Sequence, residues 1–265
     1  MQFLILKTEK NSIKKNKRDM TMRKTAFITG GATGIGKETA KTLCKDGFFV
    51  VIFCNKSEKD AIKLCEELNG QDFNSCYIKA DLSVFEEVQK AVAEALKITG
   101  GVHLLVNNAG IAQQKLFSDI TYDDWHTMMN VNLNSVFYMC KEIVPLMIKN
   151  KCGKIINISS MWGICGASCE VHYSTSKAAV IGFTKALAQE LGPSNIKVNC
   201  IAPGVIDTKM NSCFSGETIE ELKEMTPLGR IGKPSDVSEL ISFLASDKSD
   251  FITGQVISPN GGFLI

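Results

Sequence analysis

The stretch that most restricts what this chain can become is Thr25-Ala-Phe-Ile-Thr29, followed by Gly30-Gly-Ala-Thr-Gly34-Ile-Gly36 and a helical pattern from Lys37 to Lys45. A β-prone run, a glycine turn and a helix in that order form a phosphate-binding unit. The glycines let the backbone approach a diphosphate, and the helix start presents N–H groups and the positive end of its dipole. A glycine trio alone is weak evidence, but here the flanking elements are those the mechanism needs. The expected contacts are Gly30, Thr33, Gly34, Ile35 and Gly36.

Downstream, strand-like and helix-like patterns alternate. Phe48-Phe-Val-Val-Ile-Phe-Cys54 is a continuous apolar run, as in a parallel strand covered on both faces. Further strands are expected over 76–80, 102–106, 153–158, 196–201 and 255–258. Helices are expected over 61–68, 84–98, 122–149, from Tyr173 to Gly192-Pro193, and from Pro234 to Ala245. The alternation continues through residues 23–265, which predicts one α/β domain: a Rossmann-type doubly wound parallel sheet of about seven strands.

Ligands of such sheets lie at the carboxyl ends of the strands. Asp81 and Leu82 fall there, as do Asn107-Asn108-Ala109-Gly110, whose small and polar residues suit either an adenosine pocket or a simple turn. After the second strand, a site preferring NAD places an acid on the ribose 2′-hydroxyl. This chain has Cys54-Asn55-Lys56-Ser57 instead. Lys56, aided by Lys37, is expected to meet a 2′-phosphate unless both are merely solvated, so NADP(H) is favoured over NAD(H). Residues 205–226 are mixed in character and read as a mobile lid. Asn132 lies inside the long helix, where its amide competes for backbone groups, so it signals a kink or a task.

The formal net charge of +2 is uneven: residues 1–21 carry +4, leaving −2 on the body. A body without basic excess argues against nucleic acid as the main partner. Residues 1–22 read as a disordered basic leader, or as sequence upstream of a start at Met20 or Met22. The apolar run Phe3-Leu-Ile-Leu6 is too short for a signal or a bilayer span, which predicts no membrane partner and a cytoplasmic location. The ten cysteines are scattered without a C-x-x-C pair, which fits reduced thiols. Cys165, Cys169 and His172 lack a second ligand pair, so no metal is expected.

Within the helix that begins near Tyr173, Tyr173 and Lys177 stand four residues apart and share a face. A cation beside a phenol favours the phenolate and lowers its pKa towards that of a working proton donor. Tyrosine and lysine meet at this spacing on many solvated helices, so the pair needs support from elsewhere.

That support comes from a resemblance. Thr29-Gly-x-x-x-Gly34-Ile-Gly36, Asn107-Asn-Ala-Gly110, Ser160, Tyr173-x-x-x-Lys177 and Pro203-Gly204, in that order, resemble the short-chain dehydrogenase/reductase family over roughly residues 23–265. The resemblance implies hydride transfer between a nicotinamide and a carbonyl or alcohol carbon, with Asn132, Ser160, Tyr173 and Lys177 as the catalytic set. Ser160 would hold the substrate oxygen, Tyr173 would give the proton, and Lys177 would tune it and bind ribose. Asn132 would hold a water linking Lys177 to solvent. Pro203, Gly204, Ile206 and Thr208 would hold the nicotinamide end. A homodimer or homotetramer is also implied.

Pro227-Leu-Gly-Arg230 and the ending from Ile252 to Gly262 are most similar to bacterial 3-oxoacyl-(acyl carrier protein) reductases. Lys151 matches one basic position expected at the mouth of their site; Ser194 stands at the other. Ala167-Ser-Cys-Glu170-Val-His-Tyr173 is also similar to reductases of a 5-aminopentanone group on elongation factor P. An acid at Glu170 would suit a positively charged substrate, or simply point to water. A protein that binds cofactor as a sensor, without turnover, is the remaining alternative.

Overall fold

In a computed structural model the described residues are 24–211 and 215–265. The expected leader over 1–22 lies outside them. The chain forms β1 (Thr25–Thr29), α1 (Gly34–Lys45), β2 (Phe49–Cys54), α2 (Glu58–Asn69), β3 (Ser75–Lys79), α3 (Phe85–Thr99) and β4 (Leu104–Asn107). There follow α4 (Tyr122–Met129), a π turn (Asn130–Asn134), α5 (Ser135–Asn150), β5 (Gly153–Ile158) and the short α6 (Trp162–Cys165). The remainder is α7 (Val171–Leu191), β6 (Ile196–Ile201), α8 (Gly216–Glu224), α9 (Pro234–Ala245) and β7 (Val256–Ile257).

The strands form one seven-stranded sheet in the order β3-β2-β1-β4-β5-β6-β7, and every pairing is parallel. Strand order reverses at β1, which pairs with β2 on one side and, skipping β3, with β4 on the other. That reversal opens a crevice above the carboxyl ends of β1 and β4.

Alternate residues of each strand feed opposite faces. Val50 and Ile52 join Leu43, Leu64, Ile241 and Leu244 in one apolar layer. Val51 and Phe53 join Val88, Met139, Ile143 and Val180 in the other. All of these side chains are buried, so each stabilises the fold by roughly 1.5–3 kcal/mol through area removed from water. Helix ends are marked locally: Gly100 closes α3 in a left-handed conformation, φ +74°. Thr121 and Asp124 cap the start of α4 reciprocally.

The expected single helix over 122–149 is interrupted by the π turn, because the buried Asn132 sends its amide out of the helix. The connection after β5 contains the short α6, and the segment expected as a lid contains α8. Strand four begins at Leu104 rather than residue 102, since His103 turns its Nδ1 to the Thr25 amide at 3.0 Å. No helix among the described residues is long and apolar enough to cross a membrane.

Candidate active site

A cleft of about 710 Å³ occupies the crevice. Its floor is the glycine turn. Gly30 and Gly34 hold φ of +62° and +52°, and a Cβ on Gly36 would lie 2.3 Å from the Gly30 carbonyl oxygen. Only glycine fits there. Thr33 precedes α1 without capping it through its side chain, leaving the first amides of the helix to face the cleft. A diphosphate suits that cradle.

The turn is tied to β4 across the switch point. Thr29 Oγ1 accepts from the amides of Asn108 and Ala109, both at 2.9 Å. The Asn108 side chain donates to the Thr29 and Gly30 carbonyls at 3.0 and 3.1 Å. One residue earlier, Asn107 Nδ2 donates to Asn157 Oδ1 at 2.8 Å, and Asn157 Nδ2 to Thr184 Oγ1 at 2.9 Å. This buried relay pins β4, β5 and α7 together, a structural duty beside the lining role of Asn108 to Gly110.

Of the residues expected to contact the nucleotide, all but Gly36, Lys37 and Asn107 line the cleft. Gly36 lies buried behind it, serving close packing of the turn. At one end, Asn55 and Lys56 stand beside Asp81. Burial works to raise the Asp81 pKa, but hydrogen bonds from Ser83 and Asn55 and the charge of Lys56 outweigh it and hold the carboxyl below its usual range. Lys37 is not part of the lining; its charge acts on Glu67 on the outer side of α1. The expectation that it assists Lys56 is therefore corrected: helical rotation carries residue 37 away from the cleft. At the other end, Pro203, Gly204, Ile206 and Thr208 follow β6, and Gly204 packs so closely on Asn260 that a Cβ would lie 2.8 Å from its Cα.

Of the four expected catalytic residues, Ser160, Tyr173 and Lys177 line one wall of the cleft and Asn132 does not. Ser160 lies two residues past the end of β5, and its Oγ accepts the Trp162 amide at 3.2 Å. Lys177 Nζ donates to the Ile158 carbonyl at 3.0 Å and lies 5.9 Å from the centre of the Tyr173 ring. Asn132 sits behind the wall: its Oδ1 accepts the Ile111 amide at 2.8 Å, and its Nδ2 donates to the Ile111 carbonyl at 2.9 Å and Ser176 Oγ at 3.0 Å.

The electrostatics differ from expectation. Burial pushes the Tyr173 phenol up to about 12, against the lowering effect of a hydrogen bond with Ser160. Burial also brings Lys177 down to about 8. Burial thus works against the charged form of both groups, and for Tyr173 it outweighs the effects that favour the phenolate. Glu170 is not directed to water. It is only 7% exposed, lines the cleft, and keeps Oε2 buried and unpartnered while Oε1 is 3.4 Å from Gln114 Nε2. Burial pushes its carboxyl up.

Two residues that position Lys177 escape a reading by motif. Ser159 donates from Oγ to the Lys177 carbonyl at 2.8 Å, and Gly163 lets α6 approach α7, a Cβ there falling 2.7 Å from the Lys177 carbonyl carbon. A small residue after β5 and a glycine before the tyrosine were the only available signals. Lys151 and Ser194 end α5 and precede β6 respectively, joined through Asn195 Nδ2 to the Lys151 carbonyl at 3.2 Å. Both lie where strands begin, about 20 Å of strand from the cleft. They are not at the mouth of this chain's own site.

A parallel sheet with a nucleotide cradle at its switch point, and a serine, tyrosine and lysine across from it, is the framework of a nicotinamide-dependent oxidoreductase. Comparison with known proteins agrees. A family model described as enoyl-(acyl carrier protein) reductase matches residues 30–264. The chain is 39% identical over 239 residues to a 3-oxoacyl-[acyl-carrier-protein] reductase of Aquifex aeolicus, covering 90% of this chain and 96% of the relative. It is 39% identical over 242 residues to the reductase of that name from Thermotoga maritima, covering 91% and 98%. An uncharacterized oxidoreductase of Bacillus subtilis is 37% identical over 243 residues, covering 91% and 99%. The chain belongs to the short-chain dehydrogenase/reductase family. It is an NAD(P)-dependent oxidoreductase acting on a CH–OH group or the corresponding ketone.

Proposed function

We propose that this protein reduces a ketone with NADP(H), the substrate resembling a 3-oxoacyl group presented as a thioester. The observation that carries the reading is the convergence of Ser160, Tyr173 and Lys177 on one wall of a cleft whose floor is the glycine turn. The nicotinamide supplies the hydride when bound. Ser160 holds the substrate oxygen as negative charge develops there. Tyr173 gives that oxygen its proton, and a donor from so buried a site keeps the proton until an acceptor is formed. Lys177, held by Ile158 and the Ser159 contact, fixes the ribose and, while protonated, favours the phenolate that follows transfer. Lys56 is the residue that meets a 2′-phosphate. The likeness to reductases named for carrier-bound 3-oxoacyl groups supports the thioester, and two-fold assembly into a dimer or tetramer is the common case for soluble enzymes.

Glu170 favours a second reading for the substrate. A buried carboxyl with an unpartnered oxygen suits a ketone that carries an ammonium group, and disfavours an anionic one. The deciding experiment is NADPH oxidation with acetoacetyl thioesters and with an aminoketone, using wild type and Tyr173→Phe. Turnover of a ketone that vanishes in Tyr173→Phe, with nucleotide binding kept, is the expected result. An active Tyr173→Phe enzyme would remove the central claim, and the preferred ketone chooses between the substrates.

A further inference from the structure

Three consecutive residues after β4 meet the segment that leads into α7. Gln113 Oε1 lies 2.9 Å from His172 Nε2, Gln114 Nε2 lies 3.4 Å from Glu170 Oε1, and the Lys115 amide donates to the Cys169 carbonyl at 2.7 Å. His172 is fully buried and directly precedes Tyr173.

The direction of the Gln113 contact follows from its other side. Gln113 Nε2 donates to Asp124 Oδ1 at 3.0 Å, so the atom facing His172 is the amide oxygen, an acceptor. His172 must therefore donate from Nε2. Its Nδ1 is left as a bare lone pair, and that atom is buried without a partner. Asp124 is itself held by Lys115 Nζ at 2.6 Å and by the Thr121 amide at 2.9 Å. The chain of bonds thus runs from the cap of α4 to the residue beside the proton donor.

We infer that Gln113 is a positioning residue: its amide holds His172 as the neutral Nε2–H tautomer and thereby fixes the first turn of α7, on which Tyr173 stands. The choice of an amide matters. A carboxylate at 113 would draw a second proton onto the ring and set an imidazolium next to Tyr173. An amide passes on orientation without charge. The charged groups that act on His172 are Asp124 and Lys115, with opposite effects, while burial holds the ring below the usual histidine range. Cys169, Glu170 and Tyr173 are the other titratable groups where the two segments meet.

The inference rests on Tyr173 being the proton donor, so its test needs a readout apart from turnover. The chain has three histidines, and ring nitrogen NMR reports the tautomer and titration of each. In wild type, the ring that disappears in His172→Asn should be neutral Nε2–H and not titrate between about pH 5.5 and 8, a range in which an unperturbed histidine would. Gln113→Glu should make that ring titrate in the same range, and kcat should acquire the same ionisation while the nucleotide KM holds. Gln113→Leu, should the glutamate not fold beside Asp124, should lower kcat about tenfold or more with the nucleotide KM again unchanged. An Nδ1–H tautomer in wild type would overturn the inference, as would a Gln113→Glu enzyme whose ring titration and kcat profile match wild type. A wild type without ketone turnover would sink the functional reading, while the tautomer still decides this one.

Discussion

Lys177 stretches over the face of Tyr173, its ammonium 5.9 Å from the ring centre and hydrogen-bonded to the Ile158 carbonyl at the end of β5. The two groups share one dry wall, and burial moves them in opposite senses: the phenol up to about 12 and the ammonium down to about 8. Each is thereby biased towards its neutral form.

The pH dependence follows from the lysine. Below about 8 Lys177 is a cation, the form the proposed ribose-binding role requires; above it that charge is lost. The nucleotide KM should therefore rise, and kcat/KM fall, as pH passes upward through about 8. Lys177→Met should remove this limb and leave a low, flat profile. Steady-state kinetics from pH 6 to 10 checks this, and a wild-type profile flat across about 8 would contradict it.

Asn132 holds a site together rather than touching it. Truncation to alanine leaves the part-buried Ile111 amide and carbonyl without their partner, while the Ser176 hydroxyl keeps its bond to the Tyr173 carbonyl. A loss of about 2–4 kcal/mol is expected from such orphaned groups, a drop in Tm of roughly 4–16 °C for a chain of this size. Thermal melts of Asn132→Ala, with activity on the folded fraction, test it; an unshifted Tm would show that the π turn does not depend on this amide.

For cofactor choice, Lys56 and Lys37 should behave differently. Lys56→Ala should reduce kcat/KM for NADPH by roughly tenfold or more while sparing NADH, because the cation would act on the 2′-phosphate alone. Lys37→Ala should change neither. Equal losses with both nucleotides at Lys56, or a loss at Lys37, would refute the assignment.

Glu170 makes a stability prediction separate from its role with substrate. Its folded pKa is raised by burial, so its contribution to stability is fully present below the unfolded carboxylate pKa and is lost as pH rises through the folded value. Glu170→Gln lacks that dependence. The mutant should gain on wild type as pH increases from about 4 to 7, each kcal/mol appearing as roughly 2–4 °C in Tm. Parallel Tm curves would mean that the carboxyl is never charged at a cost. Aminoketone activity should fall in the same mutant if the ammonium reading holds.

Most of the framework was readable because it obeys local rules. The run ending at Cys54 had to be a strand covered on both sides, Pro234 had to open a helix, and the glycines from 30 to 36 had to turn beneath one. Asn132 was recognisable as misplaced in a helix, though a π turn was not, since that depends on Ile111 and Ser176 arriving from elsewhere. The environments of Glu170 and Lys37 were not readable. Spacing says that a side chain is near a site; only the packed neighbours say which way it faces and whether water reaches it. The burial that acts on Tyr173 and Lys177 was hidden for the same reason: helical spacing supplies the lysine, but burial is a property of the whole wall.

The Thr29 hydroxyl that receives the Asn108 and Ala109 amides separates a motif from a working site. A peptide ending before β4 would contain every glycine of the signature and still lack the acceptor–donor pairs that hold the turn open. Grafting the seven residues 30–36 into another strand–helix connection should likewise transfer the sequence without the binding. The transferable unit is β1, β4 and their shared hydroxyl, assembled from segments nearly eighty residues apart.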